Sequence, residues 1–321
     1  MKRALITGIA GSGGSYLAEY LVENENIEVH GISRWHSTTS NANLRNIKDS
    51  ITLHECDLND LSATIRALEA CKPDYIFHLA AHANVHVCFS NPIAVLQNNI
   101  NSTINLFEAL RIVGINPIIQ FCSTSEVYGL VDKKDAPIFE DHPLDPVNIY
   151  AVSKLTQEKI ASSYFHAYGM KTIITRMFAY INPRRPDIFS SAFAMKIVEV
   201  ERGEREVLTH GNLNSIRTLI DVRDAMESYW VASQKCEYGV PYNIGGTTVI
   251  TVGEFLEKLK KQASTQIRSE VDEKLLRPVD VTLQIPDVSK FYKATGWTPS
   301  YSIEESVEFL LEHYRNKKRE E

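Results

Sequence analysis

Three glycines constrain this chain most. Gly8, Gly11 and Gly14 fall where a short β-branched apolar run, Arg3–Gly8, gives way to an amphipathic stretch of helical length, Gly13–Glu23. The first glycine permits a tight turn and the second lets backbone approach a pyrophosphate. The third lets helix and strand pack closely, with the helix N-terminus facing the negative charge. Ser12 and Gly13 complete the turn. A glycine triplet is weak by itself, but here it joins a strand to a helix, which is the context that gives it meaning.

The pattern continues. Ile27–Ser33, Ile51–Cys56, Tyr75–Leu79, Pro117–Ser123 and Thr172–Met177 are further strand-like runs. Between them lie helical stretches at Leu61–Cys71, Pro92–Val113 and Asn148–Tyr168. Strands alternating with helices imply a Rossmann-like, doubly wound parallel sheet with ligand at the carboxyl ends of its strands. Residues 1–180 are read as an NADP-binding domain. After Asn182-Pro183-Arg184-Arg185-Pro186 the elements shorten and mix. Residues 181–321 are therefore read as mostly a smaller mixed α/β substrate lobe, with a return to the main sheet near 212–235.

Composition limits the function. With 34 Lys+Arg against 40 Asp+Glu the net charge is -6, so no general affinity for nucleic acid or anionic membrane is expected. No apolar run is long enough for a bilayer span. Five cysteines without a CxxC pair suit a reducing, cytoplasmic setting. His78, His82 and His86 recur every four residues, but a strand running into a loop does not stack them on one face. No metal site is expected there.

Two regions carry the chemistry. At the end of the second strand Arg34 stands where an acid would bind an adenosine ribose, so NADP is favoured over NAD. Asp57 and Leu58 follow the third strand, and Leu79, Ala80 and Ala81 follow the fourth. Asp57 suits an adenine amino group or a helix start equally well. Tyr150 and Lys154 are i and i+4 on an expected helix and share a face. A nearby ammonium and an oxidised nicotinamide both favour a phenolate that accepts a hydroxyl proton. Ser123 or Thr124, at the end of the fifth strand, can hydrogen-bond the reacting hydroxyl. Glu126 adds a carboxylate that simple oxidation does not need and an elimination does. The alternative is a structural carboxylate that binds backbone amides.

These blocks resemble the extended short-chain dehydrogenase/reductase family, which acts mostly on nucleotide sugars. Within it, Ser123-Thr124-Ser125-Glu126-Val127-Tyr128-Gly129, Asn182-Pro183-Arg184-Arg185 and Gly211-Asn212-Leu213-Asn214-Ser215-Ile216-Arg217 are similar to GDP-mannose 4,6-dehydratases and related GDP-sugar reductases. So are Leu276-Arg277-Pro278-Val279-Asp280 and Gly296-Trp297-Thr298-Pro299. The resemblance implies that Thr124, Glu126, Tyr150 and Lys154 carry catalysis. It implies substrate contacts from Ser125, Asn182, Arg185, Lys196, Arg217 and Arg277. The substrate is then a nucleotide sugar, GDP-linked, and the assembly a homodimer or homotetramer, with Arg184 or Arg185 as a possible bridge between subunits. The implied reaction is oxidation at C4, loss of water across C5 and C6, and return of hydride to C6. A 4-keto-sugar reductase or a 4-epimerase is the alternative, because those enzymes share much of the set. The chain departs from the family at Ala83 and Ala179, where polar residues usually touch the substrate.

Overall fold

The computed structural model describes residues 1–34, 41–276 and 281–317. Seven strands form the central sheet: β1 (Lys2–Thr7), β2 (Ile27–Ser33), β3 (Ile51–Glu55), β4 (Tyr75–His78), β5 (Ile118–Thr124), β6 (Thr172–Met177) and β7 (Pro241–Ile244). Their order is β7-β6-β5-β4-β1-β2-β3, and every neighbouring pair is parallel. The order reverses between β1 and β4, which opens a crevice at their carboxyl ends.

Ten helices accompany the strands among the described residues: α1 (Gly14–Asn24), α2 (Leu61–Cys71), α3 (Val85–Ser90), α4 (Pro92–Val113), α5 (Ile149–Tyr168), α6 (Phe189–Glu201), α7 (Val222–Lys235), α8 (Val252–Lys261), α9 (Ser289–Thr295) and α10 (Ile303–Asn316). The sheet is buried on both faces. Ala4 and Ile6 of β1 enter the core beneath α1 and α7, whereas Leu5 enters the core beneath α2, α4 and α5. This period-two division explains why the strands read as continuous apolar runs. A third core, between α6, α8 and α10, centres on Phe193, Phe255 and Leu310.

Local signals set the element ends. Asn148 caps α5 by accepting from Ala151 N at 2.9 Å, and Gly169 ends that helix at φ 65°. Thr251 and Ser302 form capping boxes with Glu254 and Glu305 at the starts of α8 and α10.

Two elements differ from the sequence reading. Helix α3 was not expected; Asn84 nucleates it by accepting from Val87 N. The return to the main sheet runs further than 212–235. It consists of α7 and then β7, whereas Ile216–Thr218 belongs to a separate three-stranded sheet with Val249–Thr251 and Leu283–Gln284. β7 was hidden because a polar residue occupies its centre. Asn243 is fully buried, accepts from Tyr128 Oη at 2.7 Å and donates to Ile138 O at 2.9 Å.

A buried ion pair joins β5, β6 and α5. Arg176 on β6 meets Glu158 on α5 at 3.0 Å, and Ser123 Oγ donates to the same carboxylate. Arg176 also donates to Tyr128 Oη and to Glu140 O. Both charges lie below 5% exposure. Removing one partner strands the other in a low dielectric. Arg176→Met should therefore lower the unfolding free energy by about 3–5 kcal/mol, as read by urea denaturation.

Candidate active site

A cavity of about 760 Å³ lies over the crevice between β1 and β4 and extends into the small lobe. One end is built by the glycine turn. Gly8 sits at φ +72°, and a Cβ there would lie 3.0 Å from Ala80 Cα. A Cβ on Gly14 would lie 2.4 Å from Gly8 O, so any side chain would break the turn. Gly11, Ser12 and Gly13 line the same wall. Their backbone faces the cavity ahead of α1, an arrangement suited to a diphosphate.

The expected cofactor residues converge on this end. Arg34, Asp57 and Leu58 line it, as do Leu79, Ala80 and Ala81. Asp57 accepts from Asn59 N at 2.9 Å, while Asp60 caps α2. Asp57 thus holds the turn after β3 and still borders the cavity.

Further along, strand β5 ends in Thr124 and a single 3₁₀ turn, Ser125–Tyr128, that carries Glu126. Thr124 Oγ1 accepts from Glu126 N, which fixes the start of the turn. Helix α5 brings Tyr150 and Lys154 to the same wall. Asn148 links the two segments. Its Oδ1 caps α5, and its Nδ2 donates to Glu126 Oε2 at 2.9 Å. Thr124, Glu126, Tyr150 and Lys154 therefore face one space.

The electrostatics of this wall come from burial. Burial pushes the Tyr150 phenol up, the Cys122 thiol adds to this, and the Arg185 guanidinium opposes it. Burial pushes the Lys154 ammonium down; its Nζ lies 5.0 Å over the Phe121 ring. Cys122 and Tyr229 hydrogen-bond to each other at 2.9 Å along the same wall. Fixed charge arriving in this low-dielectric space acts strongly on both titrating groups.

The substrate-end expectations divide. Ser125, Arg185, Lys196 and Arg217 line the cavity. Arg185 donates to Ala83 O at 2.8 Å and pairs with Asp187 at 3.3 Å. Lys196 Nζ donates to Thr209 O at 2.7 Å, and Arg217 donates to Ile216 O and Val281 O. Asn182 does not line the cavity. It is fully buried, and its Oδ1 accepts from Arg184 N, shaping the turn that carries Arg185. Arg277 lies outside the described residues. Arg184 is engaged within its own chain, with Glu19 at 2.7 Å, Ser15 at 2.9 Å and the Tyr16 ring at 3.9 Å. Ala83 and Ala179 both border the cavity.

Sequence reasoning missed Asn148, and it missed Arg185 as a cation acting on Tyr150. The capping preference of asparagine before a helix signalled Asn148. No sequence signal placed Arg185 beside the phenol.

The chain matches the family model described as GDP-mannose 4,6 dehydratase over residues 5–310. A GDP-mannose 4,6-dehydratase from Yersinia enterocolitica is 31% identical over 95% of this chain and 91% of its own length. The GDP-mannose 4,6-dehydratase sdnI from Sordaria araneosa is 32% identical; the match covers 97% of this chain but only 60% of that relative. Among solved structures, the UDP-glucose 4-epimerase of Thermus thermophilus in complex with NAD superposes with a TM-score of 0.86. It is 26% identical, over 98% of this chain and 99% of that one.

Beneath the cavity, His78 is 1% exposed and bridges Thr7 Oγ1 at 2.9 Å and Thr103 Oγ1 at 3.0 Å. Burial, with Lys154 adding to it, lowers His78 from 6.5 to about 3. The unfolded chain takes up a proton that the folded chain refuses, so stability is lost as pH falls below 6.5. Unfolding free energy should fall by about 3 kcal/mol between pH 7 and pH 4 from this group alone. Urea melts of wild type and His78→Gln at both pH values should differ by that amount in their pH dependence.

Proposed function

The chain belongs to the GDP-mannose 4,6-dehydratase family, and on that premise we propose that it is a lyase that converts a GDP-hexose of the mannose type to its 4-keto-6-deoxy form. The observation that carries this reading is the Glu126 carboxylate, held by Asn148 on the same cavity wall as Tyr150 and Lys154. A redox step alone needs only the tyrosine and lysine.

The residues fit a pyridine dinucleotide. Gly8, Gly11 and Gly14 are held too close to neighbouring backbone for a Cβ to fit without a shift, as a diphosphate cradle requires. Arg34 at the end of β2 supports NADP over NAD. A dinucleotide held by this turn and by Arg34 would supply reversible hydride transfer at the sugar.

The chain's own groups move the protons. Thr124 Oγ1 orients the C4 hydroxyl and Tyr150 removes its proton. Arg185 favours the phenolate form that accepts this proton, against the burial that disfavours it, and a Lys154 ammonium one helical turn on acts in the same direction. The new C4 carbonyl acidifies the C5 proton, which Glu126 accepts. Protonated Glu126 then donates to the C6 hydroxyl, which leaves as water, and when hydride returns to C6 a proton from solvent is placed on C5. Arg217 and Lys196 hold the nucleotide diphosphate and base at the far end.

The finer points of the reading have separate supports. Similarity to relatives named for GDP-mannose supports guanine as the base. Five unpaired cysteines support a reducing, cytoplasmic compartment. No helix among the described residues is long and apolar enough to cross a membrane. Residues 1–180 with the α7–β7 return serve the cofactor, and the rest mostly serves the sugar nucleotide.

GDP-mannose supplied in D₂O without added reductant should yield a 4-keto product carrying deuterium at C5. Unchanged substrate would overturn the lyase reading and leave a reductase. An epimer without C5 label would point to the 4-epimerase. Glu126→Gln should lower dehydration about 10²–10⁴-fold while dinucleotide affinity stays the same. Tyr150→Phe should stop hydride transfer, read as loss of nicotinamide absorbance change in single turnover. Arg34→Ala should weaken NADP binding by about 10–100-fold and leave NAD binding unchanged, as measured by calorimetry.

A further inference from the structure

Three potential metal ligands meet far from the cavity. His30 on β2, His54 on β3 and Cys71 at the end of α2 bring their ligating atoms within 4.8 Å of one another. They come from three elements widely separated in sequence, and none of them lines the cavity. His30 is 5% exposed and Cys71 fully buried.

The hydrogen bonds orient the pair. Glu28 Oε1 lies 2.9 Å from His30 Nε2. A carboxylate only accepts, so His30 Nε2 carries the proton. In the neutral ring the Nδ1 lone pair then faces His54 Nε2, 2.9 Å away. A carboxylate that fixes the tautomer of a ligating histidine is the usual outer partner of a zinc ligand. Arg3 in turn holds Glu28 at 3.0 Å. Cys71 contributes a sulfur that makes no hydrogen bond among the described residues, although Arg3 donates to its main-chain carbonyl at 3.1 Å.

We propose that His30, His54 and Cys71 form a binding site for a zinc-like divalent cation, with Glu28 as the outer partner of His30 and water in the fourth position. The cation replaces the proton shared between the two rings. Tetrahedral Zn–N bonds of about 2.0–2.1 Å put two nitrogens roughly 3.3 Å apart, so the pair opens by a few tenths of an ångström. A Zn–S bond of about 2.3 Å puts sulfur and nitrogen roughly 3.5 Å apart, which requires the Cys71 sulfur to close by about 1.3 Å at most. His54 is half-exposed and leaves a route for the metal and its water. The bound cation ties β2 and β3, the edge of the sheet, to the end of α2. Cys71 must release its proton on binding, so affinity rises with pH.

The metal-stripped full chain should be titrated with Co²⁺. One equivalent should produce a thiolate-to-cobalt charge-transfer band, and Zn²⁺ should displace it and raise Tm. Cys71→Ser should abolish the band, and His54→Ala should weaken binding by at least about tenfold. Glu28→Gln, at a half-exposed position that should leave folding intact, should weaken binding by about tenfold. No band in the wild type would overturn the site. So would a band, or an affinity, that is unchanged in Glu28→Gln and His54→Ala.

Discussion

The reversal of strand order between β1 and β4 is the constraint from which the site follows. Parallel strands on either side send their connections to opposite faces, so the carboxyl ends of these two strands part and a gap opens between them. The Gly8–Gly14 turn enters from one side. The β4 end at Leu79–Ala81 enters from the other, and the backbones meet so closely that a Cβ on Gly8, already at φ +72°, would crowd Ala80 at 3.0 Å. The crevice is then extended by β5 and by α5, which deliver Thr124, Glu126, Tyr150 and Lys154.

That geometry has an electrostatic consequence. Burial drives Tyr150 and Lys154 towards their neutral forms. The Arg185 guanidinium works against this for the phenol. Below them His78 is kept neutral between two threonines. The site is thus built from groups that share few mobile charges, and a bound charged ring has a large effect on their protonation.

Much of the fold was legible because both faces of the central strands are buried, which makes most of them near-continuous apolar runs. β7 escaped because Asn243 fills its centre and satisfies itself through Tyr128 and Ile138. The grouping of Thr124, Glu126, Tyr150 and Lys154 on one cavity wall was legible because i, i+4 spacing and strand-end position are local properties. Arg185 was legible as a site residue but not as a partner of Tyr150, since that proximity depends on how the turn after β6 packs. Arg184, its neighbour, is turned away onto Tyr16 and Glu19. Asn182 reads as a contact residue in sequence, yet the structure uses it to shape the turn instead.

Asn148 has a role larger than its size. One amide spends its oxygen on the first turn of the helix that carries the phenol, and its nitrogen on the carboxylate of another segment. In the proposed mechanism, the two halves of the reaction are thereby yoked to a common hinge pin. A hexose held against one is already in register with the other, so it need not be released and re-seated between stages.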